Sequence, residues 1–424
     1  MMKFISIFFL IFFTTNLFSQ TLEYYFPGGT EENRAKKKLE MEKVISSELD
    51  TFQSTQNENT LKKSFEFLQI LNINNPNYKS IFKSLLIQYQ TKSESFLFNL
   101  LETIYTIAPT EFEIEIKTIQ NETLIPKVFT MSTQYLLRIY PEERKTFSSL
   151  LKSKFKNYDK VPILKILNHY LEKSPSDLLK NRPPLKDLLS HDFGENTFIV
   201  FSLHRANRDY PGIAIIKKND GKFLRREDGS FFTVSQLARS VSDLPSYVVN
   251  GNTPQGIFSI QKILPVKNES IGPSPALITA LPFEISPDKF FHSTSKSKSW
   301  SIQAYLDLLP TSWQSYFPIK EAYFAGEIGR NAIFAHGTSI DTDFYKGNIF
   351  FPNSPTRGCI SSKEIWSRNS GKCLYSDQLI LIGSIKKLNI KNGYMIVIEI
   401  DDENRPVSLD DILLDILEVE EFAQ

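Results

Sequence analysis

The chain has 424 residues, with 49 Lys and Arg against 48 Asp and Glu and a formal net charge of +1. This length indicates more than one domain, and we expect two. The balanced charge excludes a strongly basic surface of the kind that holds nucleic acid or an anionic membrane.

The N-terminus has the layout of a secretory signal peptide. Lys3 precedes an apolar run from Phe4 to Phe13, and small polar residues follow the run. The run is shorter than the about 20 residues that a membrane-spanning helix needs. We therefore predict a signal peptide over residues 1–19, cut after Ser19, with no membrane span once it is removed. A membrane anchor that is not cleaved is the alternative.

Residues 20–185 are predicted to form a helical domain. From about residue 35 to 190 glycine is rare and apolar residues recur at spacings of three and four, as at Phe65, Leu68 and Leu71. Prolines recur at intervals of 33, 32 and 34 residues, at Pro76, Pro109, Pro141 and Pro175. Each follows one apolar segment and precedes another, because proline suits the first turn of a helix. The interval predicts a solenoid of helix pairs with repeats of about 33 residues. An irregular helical bundle is the alternative.

The pattern changes after residues 180–196, which hold paired prolines and polar residues and mark the predicted boundary. Short runs rich in β-branched and aromatic residues follow, namely TFIVFSL, GIAIIKK, SYVVNG, GIFSIQKI, NAIFAHG, QLILIGSI and YMIVIEI. We predict an α+β multidomain protein in which residues 195–401 form a mainly β domain. Helices are expected there at Val234–Val241, Trp300–Leu309 and Ser362–Asn369, and residues 402–424 are expected to be a C-terminal tail.

One cysteine and one histidine are placed as a nucleophilic pair would be. Cys359 lies in a loop with proline and glycine, before the helix predicted from Ser362, and amide donors at a helix N-terminus favour a thiolate. His336 ends the predicted strand NAIFAHG, where an imidazole could take the thiol proton. Gly358 leaves room for a carbonyl to approach the sulfur, and the amides of Gly358 and Cys359 are candidate donors to an oxyanion. Two structural cysteines joined as a disulfide, Cys359 with Cys373, are the alternative.

These motifs resemble the catalytic domain of the YkuD-type L,D-transpeptidases. The resemblance rests on three stretches in family order, TPQGIF at 253–258, His336-Gly337, and Thr356-Arg357-Gly358-Cys359-Ile360, and it extends over residues 195–401. It implies that Cys359 attacks a peptidoglycan stem peptide and forms a thioester. It also implies that His336 transfers the proton, and that Gly337, Gly358 and Thr356 form the oxyanion and pocket region.

The same resemblance implies where the protein works and what it needs. Together with the predicted signal peptide, it implies work in the periplasm or cell wall, and it implies a reaction without metal or organic cofactor. Arg357 and Ser361 stand where many family members have other residues, and we expect both to contact substrate. The loop TDFYKGNIFFPNSP, which follows His336, is expected to act as a lid.

Other functions stay open at this stage. An L,D-carboxypeptidase or endopeptidase would use the same site and give the acyl group to water. A scaffold would bind a protein partner through the helical domain and leave the β domain silent.

Overall fold

The computed structural model describes residues 24–52, 57–266, 271–293, 299–338 and 341–422. The predicted signal peptide at residues 1–19 lies outside these ranges. None of the helices in the described ranges combines the length and apolar character needed to cross a bilayer.

The N-terminal half is helical, as predicted. Several of its helices begin at capping residues or prolines. The Ser93 hydroxyl, for example, accepts a hydrogen bond from the Phe96 amide at 3.2 Å, and Pro126 and Pro162 occupy first helical turns. The helices are α1 (Glu31–Leu49), α2 (Glu58–Leu71), α3 (Lys79–Ile87), α4 (Glu94–Ile107), α5 (Glu113–Glu122), α6 (Pro126–Ile139), α7 (Arg144–Lys154), α8 (Pro162–Glu172), α9 (Pro175–Lys180) and α10 (Leu185–Ser190).

Helices α2, α4, α6 and α8 form one row in which each contacts the next, and α5 and α7 pack against α6 and α8. Hydrogen bonds connect residues 33 or 34 positions apart, at Gln69–Thr103, Tyr105–Arg138 and Gln120–Lys154. Contacts between neighbouring helix pairs therefore repeat at the interval that the prolines predict. A cluster of buried aromatic rings, formed by Phe65, Phe82, Phe96 and Phe112, fills the space between the first pairs.

The second half is built on a closed barrel of eight strands. The strands of the second half, in and outside the barrel, are β1 (Thr197–Arg205), β2 (Gly212–Lys217), β3 (Val234–Leu237), β4 (Gly256–Leu264), β5 (Ala276–Ala280), β6 (Ala335–His336), β7 (Ile360–Ser362), β8 (Glu364–Trp366), β9 (Cys373–Ser376) and β10 (Asn392–Asp401). The barrel order is β1-β10-β4-β5-β6-β7-β3-β2, and β8 and β9 form a separate hairpin. Side chains alternate between two faces, so that Phe198 and Val200 join one apolar cluster while Phe201 and Leu203 join the core of the helical half.

The second half also contains helices. They are α11 (Pro287–Phe290), α12 (Ile302–Leu306), α13 (Thr311–Gln314), α14 (Glu321–Ile328), α15 (Asp377–Leu388) and α16 (Leu413–Phe422). Residues 402–424 were expected to be a tail, but α16 packs against α10 of the boundary segment. The buried Arg205 guanidinium bonds Asp411 at 2.7 Å, which ties the C-terminus to β1.

Several local predictions were wrong. Of the segment Val234–Val241, where a helix was expected, residues 234–237 form strand β3 and pair with both β2 and β7. QLILIGSI forms helix α15, whose N-terminus is capped by the Ser376 hydroxyl and whose Leu381, Ile382 and Ile385 are buried. SYVVNG is a pair of turns, and the helix predicted at Trp300–Leu309 is shortened to α12. In these segments tertiary packing overrides intrinsic propensity.

The two halves meet along one side of the row formed by α2, α4, α6 and α8, at the same position of each helix. Glu66, Glu102, Gln134 and Tyr170 are each the ninth residue of their helix, in α2, α4, α6 and α8. Each contacts the β half. Their respective partners are Arg357 at 3.3 Å, Asn250 at 3.1 Å, Tyr247 at 2.5 Å and the Glu321 carboxylate. The inner side of the row is therefore an interface with the barrel.

Candidate active site

His336 ends the two-residue strand β6, between β5 and β7. Its side chain is 2% exposed, and burial lowers the pKa of the imidazole to about 4. The ring is hydrogen-bonded through Nδ1 to the Gly337 carbonyl oxygen. A carbonyl only accepts, so Nδ1 carries the proton and Nε2 of the neutral ring holds a lone pair. Nε2 is buried and has no hydrogen-bond partner in the described part of the chain.

Cys359 immediately precedes β7, and part of its side chain is exposed. Its sulfur accepts a hydrogen bond from the Phe334 amide at 3.3 Å, and the thiol donates to the Ala332 carbonyl at 3.3 Å. Burial raises the pKa of the thiol to about 11, against the opposing effects of the Phe334 amide and the Arg330 guanidinium. At neutral pH both the cysteine and the histidine are therefore uncharged.

The fold brings the two residues to adjacent parallel strands, with His336 at the end of β6 and Cys359 just before β7. Ala335 is in register with Ile360 and His336 with Ser361, and the Ile360 amide bonds the Phe334 carbonyl at 2.9 Å. Cys359 itself lies in the bend before β7, outside the paired residues. In the described atoms no hydrogen bond joins the thiol to the imidazole.

Two threonine hydroxyls, one inside the loop and one from another segment, hold the loop before Cys359. Thr356 Oγ1 donates to the Cys359 carbonyl at 2.7 Å and accepts from the Gly358 amide at 3.1 Å. Thr253, from the TPQGIF stretch, donates to the Gly358 carbonyl at 2.9 Å. The Gly358 amide, predicted as an oxyanion donor, thus already has an acceptor within the loop.

A buried arginine that the sequence analysis missed lies behind this loop. Arg330 follows α14, and its guanidinium bonds the Ser246 carbonyl and the carbonyls of Gly251 and Asn252, each of these two at 2.9 Å. Gly358 has φ +110°, and a Cβ there would lie 2.2 Å from Arg330 Nη2. Glycine is required for both reasons. Burial lowers the pKa of the Arg330 guanidinium to about 10, so Arg330 keeps its proton at neutral pH, and its positive charge lowers the cost of negative charge on the nearby sulfur.

A buried carboxylate supports the turn after His336. Glu364 accepts hydrogen bonds from the Thr338 amide at 2.9 Å and from the hydroxyls of Ser274 at 2.5 Å and Ser376 at 2.6 Å. A Cβ at position 337 would come within 2.1 Å of this carboxylate, so only glycine fits after His336. Glu364 also went unnoticed in the sequence, where nothing marks it among the other acidic residues.

Arg357 and Ser361, which were expected to contact substrate, both contact other parts of the chain. Arg357 is half-exposed and pairs with Glu66 of α2 at 3.3 Å. Ser361 is 1% exposed and donates to the Ser354 carbonyl at 2.6 Å, so it belongs to the packing of β7 and not to an open substrate surface. The helix predicted after Cys359 is absent, since residues 360–366 form β7 and β8, and no helix end supports a thiolate there.

The expected lid segment packs onto the barrel in the described residues. Tyr345 and Phe350 are buried against Leu237 of β3, and Asp341, just before the segment, forms an ion pair with Arg34 of α1. Both cysteines are free, so the disulfide alternative is not formed.

Searches of family models, of curated proteins and of solved structures found no match to this chain. The resemblance to L,D-transpeptidases therefore stays a prediction.

Proposed function

We propose that the chain is an L,D-transpeptidase that acts on peptidoglycan stem peptides through a Cys359 thioester. One observation carries the proposal most directly: Nε2 of His336 is buried and has no hydrogen-bond partner among the described residues, and β6, which ends at His336, pairs with β7, which Cys359 precedes. A buried imidazole without a partner is costly, and a proton-transfer role accounts for that cost.

Proton transfer in this site would accompany attack on the substrate. Burial raises the pKa of the thiol to about 11 and lowers the pKa of the imidazole to about 4, and both shifts disfavour a resting thiolate–imidazolium pair. The thiol proton would therefore pass to Nε2 as the sulfur bonds the carbonyl carbon. The imidazolium would then protonate the leaving amine as the tetrahedral intermediate collapses to the thioester.

The second half of the reaction reverses these roles. An acceptor amine would lose its proton to His336 as it attacks the thioester, which forms a new amide and frees the thiol. Arg330, close behind Gly358, would favour negative charge that develops on sulfur, and Thr356 and Thr253 would hold the loop that presents it. If water takes the place of the amine, the product is that of a carboxypeptidase or endopeptidase.

The proposal includes export and a role for the helical half. With the predicted signal peptide removed, the enzyme would meet its substrate in the periplasm or cell wall. A protein partner of the helical domain would need a surface other than the side of the row that carries Glu66, Glu102 and Gln134, because these residues contact the β half.

Two measurements on purified residues 20–424 test the activity. Exposure to a carbapenem should add the mass of one inhibitor, and Cys359→Ala should abolish that adduct while the matched control Cys373→Ala retains it. Incubation with tetrapeptide muropeptides should then yield cross-linked dimers. Loss of the terminal residue alone would indicate the hydrolase, and an unlabelled wild type that leaves muropeptides unchanged would favour the silent scaffold.

A further inference from the structure

The segment between α14 and β6, residues 329–334, contacts the sulfur of Cys359. It supplies two hydrogen-bond partners of the thiol, the Ala332 carbonyl and the Phe334 amide, each at 3.3 Å. It also carries Arg330, whose positive charge favours a negative sulfur. The position of this segment therefore determines where the thiol proton rests and how readily the sulfur releases it.

Ala332, in the middle of this segment, has a strained backbone. Its φ is +55°, in the left-handed region that residues with a side chain rarely adopt. Such a conformation persists only where neighbouring groups hold it, and strained residues cluster at functional sites. The group that holds Ala332 is the Glu284 carboxylate, whose Oε1 accepts a hydrogen bond from the Ala332 amide at 3.0 Å.

Glu284 is itself fixed in a tight turn. Its Oε2 accepts from the Leu281 amide at 3.0 Å, and its own amide donates to the Leu281 carbonyl at 3.3 Å. Phe283, inside this turn, also has a left-handed backbone, with φ +66°. One carboxylate thus ties the turn to Ala332, the residue whose carbonyl accepts the hydrogen bond of the thiol.

The charge of Glu284 and the geometry that it imposes act on the sulfur in the same direction. Burial and, to a smaller extent, the Glu284 carboxylate raise the pKa of the thiol, whereas the Phe334 amide and the Arg330 guanidinium lower it. The hydrogen bond to the Ala332 carbonyl also favours the protonated form, because a carbonyl cannot donate to a thiolate. The imidazole of His336 is uncharged at neutral pH and adds no charge to this balance.

We propose that Glu284 is a positioning residue for Cys359. By holding Ala332 in its left-handed conformation, Glu284 fixes the carbonyl on which the thiol proton rests and keeps the sulfur protonated until substrate arrives. The thiol would have to leave this carbonyl before its proton reaches Nε2 of His336. The inference rests on the proposed function only in taking Cys359 as the nucleophile, and the acidity of the thiol is measured without substrate.

Alkylation of Cys359 by iodoacetamide tests the proposal, followed by intact mass on residues 20–424 that carry Cys373→Ala. Between about pH 7 and pH 9 the rate is proportional to the thiolate fraction, because the thiol pKa of about 11 lies above this range. Glu284→Gln removes the charge and loosens the hold on Ala332, and both changes favour the thiolate. We expect this variant to react at least about three-fold faster than the parent protein, equivalent to a thiol pKa lower by about 0.5.

Two matched variants separate the hold on Ala332 from a general effect of charge. Glu327→Gln on α14 also removes one carboxylate, but the Ala332 amide bonds Glu284 and not Glu327, so its alkylation rate should equal that of the parent. Ala332→Gly allows φ +55° without strain and makes the hold of the carboxylate dispensable. In that background Glu284→Gln should therefore accelerate alkylation less.

Three results would overturn the inference. They are equal alkylation rates for Glu284→Gln and the parent, an equal acceleration by Glu327→Gln, and an acceleration by Glu284→Gln that is the same with and without Ala332→Gly. A melting curve for each variant confirms that it is folded.

A measurement on the parent protein needs no variant of Glu284. The Raman S–H stretch of Cys359 should be that of a hydrogen-bonded thiol, and the stretch of a free thiol would contradict the resting position on Ala332. A protein that gives the expected alkylation and Raman results but resists carbapenem labelling would count against the transpeptidase alone and would support the role of Glu284.

Discussion

Burial of His336 makes a quantitative prediction about stability at acidic pH. An exposed histidine titrates near 6.5, whereas burial lowers the pKa of His336 to about 4 in the folded chain. Between these values the unfolded chain binds more protons than the folded chain, so stability falls as pH falls. The loss is negligible above pH 6.5 and reaches about 3 kcal/mol below pH 4, with about 2 kcal/mol already lost at pH 5.

The perturbation that isolates this effect is His336→Asn, because an asparagine amide can still donate to the Gly337 carbonyl but does not titrate. Urea unfolding of both proteins at pH 7.5 and pH 5 gives the difference. We expect the wild type to lose about 2 kcal/mol more than the variant over this range. His169 and His204, whose pKa values are also lowered by burial, contribute to both proteins and cancel in the comparison.

A direct assay uses the Cε1 proton resonances of the five histidines. The resonance missing from His336→Asn belongs to His336, and it should remain in the neutral position down to about pH 4. A titration midpoint near 6.5, or equal pH dependence of the two unfolding free energies, would refute the reasoning. The imidazole would then be solvated or paired, and the argument for an unpaired base would fail with it.

The remaining predictions concern close packing. Gly358→Ala should abolish carbapenem labelling, because its Cβ would meet Arg330 at 2.2 Å, whereas Gly383→Ala in α15 meets nothing within 4 Å and should label normally by mass spectrometry. Phe65→Ala should cost about 3–5 kcal/mol in urea unfolding of the helical half, since the ring is fully buried among aromatic neighbours. Ile114→Ala, 75% exposed, should change stability by less than about 0.5 kcal/mol, and equal losses for the two would contradict the assigned packing.

Long-range regularity was more predictable from the sequence than local structure. The proline interval predicted where helix pairs begin, because proline restricts its own backbone whatever surrounds it. Pro76 and Pro141 begin 3-10 turns and Pro175 begins α9, while Pro109 lies in the turn before α5. The apolar run QLILIGSI could not be assigned in the same way. A strand and a buried helix face use the same residues, and only the Ser376 cap and the packing of Leu381 decide for the helix.

The sequence marked His336 and Cys359 as candidates by motif but gave no signal for the residues around them. In the structure β6, which ends at His336, pairs with β7, which Cys359 precedes. Arg330 is separated from Gly358 by 28 positions, and Glu364 from Gly337 by 27, so each contact exists only once the barrel closes. No local pattern distinguishes either residue from its charged neighbours, and a single sequence offers no other signal.

The error at residues 362–369 changes the electrostatic argument itself. A helix after Cys359 would have stabilised a resting thiolate through its N-terminal amides, and the sequence analysis relied on that effect. A strand has no comparable dipole, so the positive charge of Arg330 and the single Phe334 amide are what oppose the burial of the sulfur. They leave the thiol neutral at pH 7. In the proposed reaction the proton must therefore pass to a base during attack, which is why Nε2 of His336, unpaired among the described residues, matters more to the proposal than any feature of the cysteine alone.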